Sequence, residues 1–358
     1  MSTMDKHILV LGGGYGGLRI IQRLLAANLP KHTRLTLIDR MPYHGLKTEY
    51  YALAAGTESE ANLRVAFPND PRLKVQLGEV TAIDVEQTMV HIDGQDPVAY
   101  DYLIIALGCE DKYHGVPGAK EYTHSIQTLP KTRKTYQALN NIKPYGHVAI
   151  VGGGLSGVEL ASELRESRPD LNIAIYDRGE TILSPFPEKL RRYVCQWFHE
   201  NDVDLVHKAN IDKVEPQLFF NHGQPVEADE IVWTAGIQAN RIVQALPVEK
   251  DHLGRLALSP HHYLEDYPNV FVVGDCASLP HAPSAQLAEA QGDQIAQVLL
   301  ARLHDEPLPQ LPKIKLKGVL GSLGKKHGFG VMGDTTLIGR IPRVLKSGVL
   351  WMYKHHLA

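Results

Sequence analysis

The segment His7-Ile-Leu-Val-Leu-Gly12-Gly-Gly14-Tyr-Gly-Gly17 gives the clearest indication of the architecture. It joins an apolar strand to a G-x-G-x-x-G turn, and a helical pattern continues from there to Ala27. A second apolar strand then ends at Asp39, 27 residues after Gly12. A strand, a glycine turn, a helix and a strand that ends in an acid form the pattern of a βαβ dinucleotide-binding unit.

The same pattern occurs a second time. His147-Val-Ala-Ile-Val-Gly152-Gly-Gly154-Leu-Ser-Gly157 opens the second copy, and its second strand ends at Asp177, 25 residues after Gly152. In each copy the three glycines permit a tight turn, the approach of the backbone to a pyrophosphate, and close packing of helix on strand. The helix N-terminus attracts the phosphates, and the acid accepts hydrogen bonds from a ribose. Two copies predict two dinucleotides, most simply a tightly held flavin dinucleotide and an exchanging nicotinamide dinucleotide.

Composition narrows the class of protein. A length of 358 residues predicts two or three domains, and a hydrophobic fraction of 44% is typical of globular chains. The net charge of −3 argues against nucleic acid as the main partner. The cysteines, Cys109, Cys195 and Cys276, form no CxxC pattern. They therefore predict a reducing cytoplasm and no metal site. No stretch has the features of a signal peptide or the ~20 apolar residues of a membrane span, so we expect no export and no membrane crossing.

Two further strands end in residues typical of ligand sites. One runs from Tyr100 to Gly108, and the other ends at Gly274-Asp275. Their carboxyl ends are expected at the ligand-binding edge of a parallel sheet. A helix is predicted from Ser284 to about Leu303, and its first turn lacks charge. The dipole of that helix would stabilise negative charge on a reduced flavin.

The tail has a different character. Lys313–Lys317 alternates basic and apolar residues, as an exposed edge strand does. Residues 340–358 mix basic and apolar side chains, and a helix from Pro342 would align positions 341, 345, 349 and 352 on one stripe. This pattern fits a helix in a membrane interface, and it equally fits a helix that packs on its own domain or in a homodimer.

These motifs resemble those of a known family. We call the two glycine-rich copies the first and second fingerprints. The other shared motifs are the run Leu37-Ile-Asp39-Arg-Met-Pro-Tyr43-His44 and the strands that end at Gly108 and Asp275. Together these motifs resemble those of the type II NADH dehydrogenases. These are single-chain, non-proton-pumping NADH:quinone oxidoreductases of the two-dinucleotide-binding flavoprotein superfamily. The likeness covers residues 5 to about 300 and is greatest to a short bacterial branch, often labelled NADH dehydrogenase-like.

The resemblance implies FAD at the first fingerprint and NADH at the second. Asp39 would bind the adenosine ribose of FAD, Val80 its adenine, and Asp275 its ribityl chain. Asp177 would bind the adenosine ribose of NADH and favour NADH over NADPH. The other implied cofactor-binding residues are Gly12, Gly14, Gly17, Arg40, Gly108, Gly152, Gly154, Gly157, Gly274, Ala285 and Gln286. The implied catalytic residues are Gln286 and Glu159, the latter near the nicotinamide.

The resemblance also implies the architecture. We expect an α/β fold with two Rossmann-like, three-layer dinucleotide-binding domains, as in glutathione reductase-like flavoproteins, and a small C-terminal element. The FAD domain would comprise residues 1–111 and 254–310, the NADH domain residues 112–253, and the C-terminal element residues 311–358. That element is expected against the FAD domain, with a helix for contact with the cytoplasmic membrane face or a homodimer partner.

The electron acceptor stays open at this stage. The family's helix begins A-Q-x-A-x-Q, but this chain has Ala290 at the second glutamine position and Gln291 one residue later. A quinone would be reduced near Gln286, the Tyr50 region and Lys325 or Lys326. The alternatives are a soluble NADH-dependent flavoprotein reductase with a protein, small-molecule or oxygen acceptor, and a low-turnover flavin and NADH redox sensor.

Cysteine and histidine positions suggest no further chemistry. No cysteine lies between Asp39 and Gly56, where disulfide reductases of this superfamily carry a redox pair. Cys109 and Cys276 are therefore interpreted as small packing residues. The adjacent histidines at 261–262 and 355–356 are interpreted as surface residues without a metal.

Overall fold

The computed structural model describes residues 6–357 and the side chains of residues 6–354. The helices are α1 Tyr15–Ala26, α2 Tyr50–Ala54, α3 Ala119–Tyr122, α4 Leu129–Asn141, α5 Leu155–Ser167, α6 Glu188–Glu200, α7 Arg241–Gln244, α8 Ala285–Leu303 and α9 Arg340–Leu357. The strands up to residue 111 are β1 Lys6–Leu11, β2 Thr33–Asp39, β3 Tyr43–Gly45, β4 Arg64–Ala66, β5 Leu73–Leu77, β6 Val80–Asp84, β7 Met89–Ile92, β8 Gln95–Ala99, β9 Tyr102–Ile105 and β10 Cys109–Asp111. The later strands are β11 His147–Val151, β12 Asn172–Tyr176, β13 Val203–Val206, β14 Ile211–Glu215, β15 Leu218–Asn221, β16 Gln224–Glu227, β17 Glu230–Trp233, β18 Ile237–Ala239, β19 Tyr263–Leu264, β20 Tyr267–Val272, β21 Val319–Leu323, β22 His327–Met332 and β23 Thr335–Gly339.

The chain divides into two compact units. The first comprises Met1–Gly45, Val65–Glu110 and Ile237–Leu316, and the second comprises Leu46–Arg64, Asp111–Gly236 and Lys317–Ala358. Two segments differ from the predicted domain limits. Residues 46–64 belong to the second unit because α2 packs on α4 and α5, and residues 237–253 belong to the first because α7 packs on β6.

The first unit is built on a six-stranded sheet with the order β19-β20-β9-β1-β2-β5. Alternate residues of β1 enter two separate cores. Ile8 and Val10 pack with α1 and α8, whereas Leu9 and Leu11 pack with apolar residues of the β6-β7-β8 sheet. A parallel strand buried on both faces requires this continuous apolar run, which explains the sequence of β1.

Strand register aligns the ends of these strands at one edge. In the parallel pairing Leu11 lies opposite both Ile38 and Ile105, and Val272 lies opposite Ile105. The residues that follow these strands, among them Gly12 and Asp275, therefore lie along the carboxyl edge of one sheet.

The second unit repeats this design with four parallel strands in the order β13-β12-β11-β17. Val151 lies opposite Tyr176 and Trp233, so Gly152 and Asp177 follow adjacent strand ends. The predicted α/β fold with two Rossmann-like units is confirmed.

The tail belongs to the second unit. Strands β21, β22 and β23 form an antiparallel sheet that packs on α5 and α6. This assignment differs from the expectation that the tail lies against the FAD domain, since β21 contacts α5, the helix of the second fingerprint. The predicted strand Lys313–Lys317 was wrong, since those residues have no regular structure.

Helix α9 exposes its apolar stripe. The large apolar side chains that are exposed on it are Ile341, Val344, Leu345, Val349, Trp351 and Met352. Arg343 and Lys346, on the other face, are partly or largely covered. The helix therefore reverses the usual arrangement, in which apolar residues face the protein and cations face solvent.

Candidate active site

The first glycine turn has no room for side chains where α1 meets β1. A Cβ atom on Gly17 would lie 2.1 Å from the Gly12 carbonyl oxygen, and one on Gly12 would lie 2.5 Å from the Ala106 oxygen. Gly14 differs, because a Cβ there would meet no atom within 4 Å. Gly14 precedes α1 without a side-chain cap on the helix. An uncapped helix N-terminus beside open space suits a pyrophosphate, so these residues fit the group.

Asp39 is fixed at the end of β2 by the turn itself. Its two carboxylate oxygens accept hydrogen bonds from the amide of Gly13 at 2.6 Å and that of Met41 at 2.8 Å. Burial raises the pKa of Asp39, although these hydrogen bonds and Arg40 oppose the rise. Val80 lies near this strand end, since the amide of Gly78 donates to the Asp39 carbonyl. Asp39 is thus held in a fixed orientation beside the turn.

His44 forms a hydrogen bond to the backbone of the first glycine turn. Its Nδ1 lies 2.8 Å from the carbonyl oxygen of Gly13, which accepts a hydrogen bond, and its ring packs edge-on against Tyr15. Burial lowers the pKa of His44 to about 4. The imidazole is therefore neutral at pH 7, with its proton on Nδ1.

This arrangement predicts an acid limit to stability. His44 is neutral when folded but gains a proton below about pH 6.5 when unfolded, so stability is lost as the pH falls from about 6.5 to about 4. We expect His44→Asn to remove up to ~3 kcal/mol of this pH dependence. Urea unfolding at several pH values measures it. Equal acid limbs in both proteins would contradict the prediction.

Two cysteine thiols form hydrogen bonds between the segments that follow β9 and β20. Cys109, after β9, donates to Asp275 at 3.0 Å, and Cys276, after β20, donates to the Gly108 carbonyl at 3.1 Å. Burial raises the pKa of the Cys276 thiol, so it stays protonated. Both cysteines are buried, as their interpretation as packing residues requires, but that interpretation missed their role as hydrogen-bond donors. The Asp275 carboxylate is thereby fixed at the sheet edge.

Helix α8 begins at Ala285 with Ser284 as its N-cap, and Gln286 is its second residue. Gln291, the displaced glutamine, is buried inside the first unit. Its amide oxygen accepts from the Gly274 amide at 2.9 Å. It is therefore part of the support of the Asp275 loop.

The second fingerprint has the same geometry. A Cβ atom on Gly157 would lie 2.0 Å from the Gly152 oxygen, whereas one on Gly154 would meet no atom within 4 Å. Asp177 accepts from the amides of Gly153 and Gly179, each at 2.7 Å. The repetition of these contacts shows that both turns present the same kind of surface.

A buried charge cluster lies elsewhere in the second unit. Lys346 of α9 donates to Glu159 and, at 2.7 Å, to the Tyr51 hydroxyl, and it lies 3.5 Å from Glu49. Tyr51 in turn donates to Glu49 at 3.0 Å, and Glu159 accepts from the Ser322 amide at 2.9 Å. We call these five residues the Lys346 cluster.

The cluster contains two carboxyl groups and one ammonium group. Burial raises the pKa of Glu159, against the opposing charge of Lys346. Burial lowers the pKa of Lys346, but Glu159, Tyr51 and Glu49 raise it by more, so the ammonium persists. Because this buried cluster has one more carboxyl group than ammonium groups, it favours the uptake of a further proton.

Sequence reasoning found Glu159 but missed its partners. Lys346 was recognised only as one basic residue of the tail, and attention went to Lys325 and Lys326, which are exposed. The signal for Lys346 was its position outside the apolar stripe of α9. His262 was interpreted as a surface residue, which was wrong, since it is only 7% exposed. The side chains of His355 and His356 lie outside the described residues.

In residues 6–357 no helix is long and apolar enough to span a bilayer. Within the same part of the chain, no group of three or more histidine, cysteine, aspartate or glutamate side chains could hold a metal ion.

Comparison with known proteins identifies the family. The sequence profile described as pyridine nucleotide-disulphide oxidoreductase matches residues 6–292. The NADH dehydrogenase-like protein YutJ of Bacillus subtilis is 60% identical over 98% of this chain and 99% of its own length. A type II NADH:quinone oxidoreductase of Staphylococcus saprophyticus is 26% identical over 97% of this chain and 94% of its own.

Solved structures share the fold at low identity. NDH2 of Plasmodium falciparum, solved in complex with NADH, has a TM-score of 0.84 at 18% identity and covers 99% of this chain and 96% of its own. The sulfide:quinone oxidoreductase of Aquifex aeolicus has a TM-score of 0.81 at 19% identity, over 98% and 91%. The predictions of an NADH dehydrogenase and of FAD and NADH as cofactors are confirmed at the level of the family. The chain therefore belongs to the pyridine nucleotide-disulphide oxidoreductases and, among them, is a homologue of the NADH dehydrogenase-like protein YutJ.

Proposed function

We propose that this chain oxidises NADH and reduces a quinone at a membrane surface. Bound FAD would supply the redox chemistry, namely the capacity to take a hydride from NADH and to give two electrons to the acceptor. The protein binds both dinucleotides, orients them and holds the protons that the acceptor takes up.

The first unit supplies the FAD residues of this proposal. Gly12, Gly14 and Gly17 would receive the pyrophosphate, and Asp39 the adenosine ribose. The open space at Gly14 and the fixed carboxylate of Asp39 support this assignment. Asp275, held by the Cys109 thiol, would bind the ribityl chain. The adenine would contact the backbone of Val80, with Arg40, Gly108, Gly274 and Ala285 in supporting positions.

The second unit would bind NADH with Gly152, Gly154 and Gly157 at the pyrophosphate and Asp177 at the adenosine ribose. Two amides orient the Asp177 carboxylate, and its negative charge disfavours a 2′-phosphate. The close correspondence of the two glycine turns supports this assignment.

The two faces of α9 support the proposal that the electron acceptor is a quinone. One face of this helix exposes six large apolar side chains, and the other carries Lys346 to a buried carboxyl cluster. A quinone dissolves in lipid, and its reduction to a quinol consumes two protons with two electrons. An apolar surface and a proton-holding cluster on one helix meet both requirements. We assign Glu159 and Lys346 to proton delivery and Gln286 to stabilisation of negative charge on the reduced flavin.

An anaerobic visible-spectrum titration tests the electron path. We expect NADH to bleach the flavin band of the purified protein and a short-chain quinone to restore it. Bleaching without restoration would move the assignment to a soluble reductase with another acceptor or to a redox sensor. A folded protein that takes up no FAD would overturn the assignment of the first fingerprint.

The membrane assignment predicts the effect of two charges on α9. Val344 and Val349 are 70% and 55% exposed, so their replacement by aspartate leaves the fold intact but makes burial in an anionic interface unfavourable. We expect the double variant Val344→Asp/Val349→Asp to float with phosphatidylglycerol vesicles at least ~10-fold less than wild type.

A matched control comes from the first unit. Val75 and Leu77 on strand β5 are 37% and 49% exposed, and Val75→Asp/Leu77→Asp adds the same charge elsewhere. We expect this control to float like wild type. If wild type does not float, and the α9 variant instead converts a dimer to a monomer, the exposed face of α9 is a subunit interface and the membrane assignment fails.

A further inference from the structure

A network of three buried side chains lies behind the Asp275 loop in the first unit. Gln291 and Gln294 of α8 are 0% and 8% exposed, and His262 is 7% exposed. The family pattern from which this helix departs gives Gln291 no role. The network extends from the loop at one end to the segment after α8 at the other.

The hydrogen bonds of Gln294 determine the state of His262. The amide nitrogen of Gln294 donates to the Pro312 carbonyl at 2.6 Å, which can only accept. Its amide oxygen must therefore accept from Nε2 of His262, 2.7 Å away. His262 is thus a donor at Nε2, which leaves Nδ1 as an acceptor in the neutral ring.

The hydrogen bonds of Gln291 have an equally fixed direction. Its nitrogen donates to the Val272 carbonyl at 3.0 Å, and its oxygen accepts from the Gly274 amide at 2.9 Å. The second hydrogen of that nitrogen points to Nδ1 of His262 at 3.4 Å. One neutral tautomer of His262 therefore satisfies the whole network.

Gln291 holds both sides of the point where the chain leaves β20. Val272 is the last residue of the strand, and Gly274 adopts a left-handed conformation with φ of 75° before Asp275. One amide group binds the carbonyl before this turn and the N–H within it. The orientation of Gln291 therefore sets the direction in which Asp275 is presented.

We propose that Gln291 is a positioning residue for flavin binding, which presents Asp275 to the cofactor and is kept in its orientation by neutral His262. The inference rests on the assignment of the FAD ribityl chain to Asp275 under the proposed function. It extends that assignment to residues that do not touch the cofactor.

The network has a pH signature. Protonation of His262 would place an N–H on Nδ1 against the N–H of Gln291, and two donors repel. Burial lowers the pKa of His262 and His261 lowers it further, although the hydrogen bond to Gln294 opposes the fall. The other groups that bond to the ring, from α8 and β20, are the uncharged Gln291, Gln294 and backbone. FAD affinity is expected to be full above the ordinary histidine pKa and to fall in acid.

Two variants separate positioning from simple packing. Gln291→Leu removes the contact with Gly274, whereas Leu299→Ala opens a cavity in the core under the same helix and leaves the network and the loop unchanged. Thermal unfolding is expected to show destabilisation of both. We expect the FAD dissociation constant, from flavin fluorescence, to rise at least ~10-fold in Gln291→Leu and less than ~3-fold in Leu299→Ala. Equal rises would overturn the proposal.

Gln291→Glu provides a test that a purely structural role would not pass. An ionised glutamate cannot donate to the Val272 carbonyl, whereas a protonated glutamate has one O–H group that can. We therefore expect the affinity of this variant for FAD to increase as the pH falls, whereas the affinity of wild type stays constant until the pH falls below the lowered pKa of His262 and then decreases. The same trend in both would overturn the proposal. Absence of FAD from wild type at every pH would instead overturn the first-fingerprint assignment.

Discussion

Lys346→Met is expected to destabilise the protein by about 3–5 kcal/mol, because it leaves Glu159 and Glu49 buried without their cation. Urea unfolding measures the loss. Lys325→Met is the matched control, since it makes the same change at an exposed lysine of the tail and is expected to alter stability by less than ~0.5 kcal/mol.

A double variant isolates the charge as the cause. Glu159→Gln removes one of the carboxylates that Lys346→Met leaves uncompensated, so the double variant is expected to regain part of the lost stability. A loss below ~1 kcal/mol in the single variant, or no recovery in the double, would show that the Lys346 cluster does not depend on this ion pair.

A change in the Lys346 cluster is expected to affect only one of the two half-reactions, which are flavin reduction by NADH and flavin reoxidation by quinone. Tyr51→Phe removes the hydroxyl that joins Lys346 to Glu49 and keeps the ring that packs on the ammonium. We expect flavin reduction by NADH to be unchanged and reoxidation by quinone to slow about 10- to 100-fold, which is at most the lower limit of the ~10²- to 10⁴-fold that one acid–base group contributes. Stopped-flow measurement of each half-reaction shows the difference. Slowing of both steps alike would contradict a role in proton delivery.

Gly14 and Gly154 face open space, one in each glycine turn. Gly14→Ala is expected to leave the fold unchanged, because the added methyl group meets no protein atom within 4 Å and the backbone has an ordinary φ of −71°. The methyl group would occupy the space of the FAD pyrophosphate. We expect the dissociation constant of FAD to rise about 10- to 100-fold, which corresponds to an overpacking cost of 1–3 kcal/mol.

Gly154→Ala makes the same change in the second turn, so each variant is the control for the other. We expect it to retain FAD while the dissociation constant of NADH rises by a similar factor, because its methyl group also meets no protein atom within 4 Å. Equilibrium titration of each dinucleotide measures both. Loss of FAD from Gly154→Ala with intact binding in Gly14→Ala would reverse the two assignments.

Local rules explain what the sequence predicted correctly. Gly12, Gly17 and Asp39 act on their neighbours in one strand-turn-helix unit, so their spacing alone carries the information. The same holds for the start of α8, where Pro283 and Ser284 precede the first helical residue.

Long-range contacts explain what the sequence could not show. Glu159 and Lys346 meet across 187 positions. His262 turns inward because its backbone is left-handed, with φ of 68°, and no nearby residue type signals this. The family pattern has a glutamine at the position of Ala290, and this chain has Gln291 one residue later. Only the structure shows that Gln291 is buried and accepts a hydrogen bond from the Gly274 amide.

The interleaving of the two units has a consequence for biosynthesis. The second unit receives its first segment at Leu46–Arg64 and its last at Lys317–Ala358, with the first unit's third segment made in between. Lys346 is synthesised 187 residues after Glu159, so this ion pair cannot form until that part of the chain has been made. Domains usually fold in order of synthesis. Here the second unit cannot complete its buried ion pair before its last segment has been synthesised, so the two units cannot finish folding strictly in sequence.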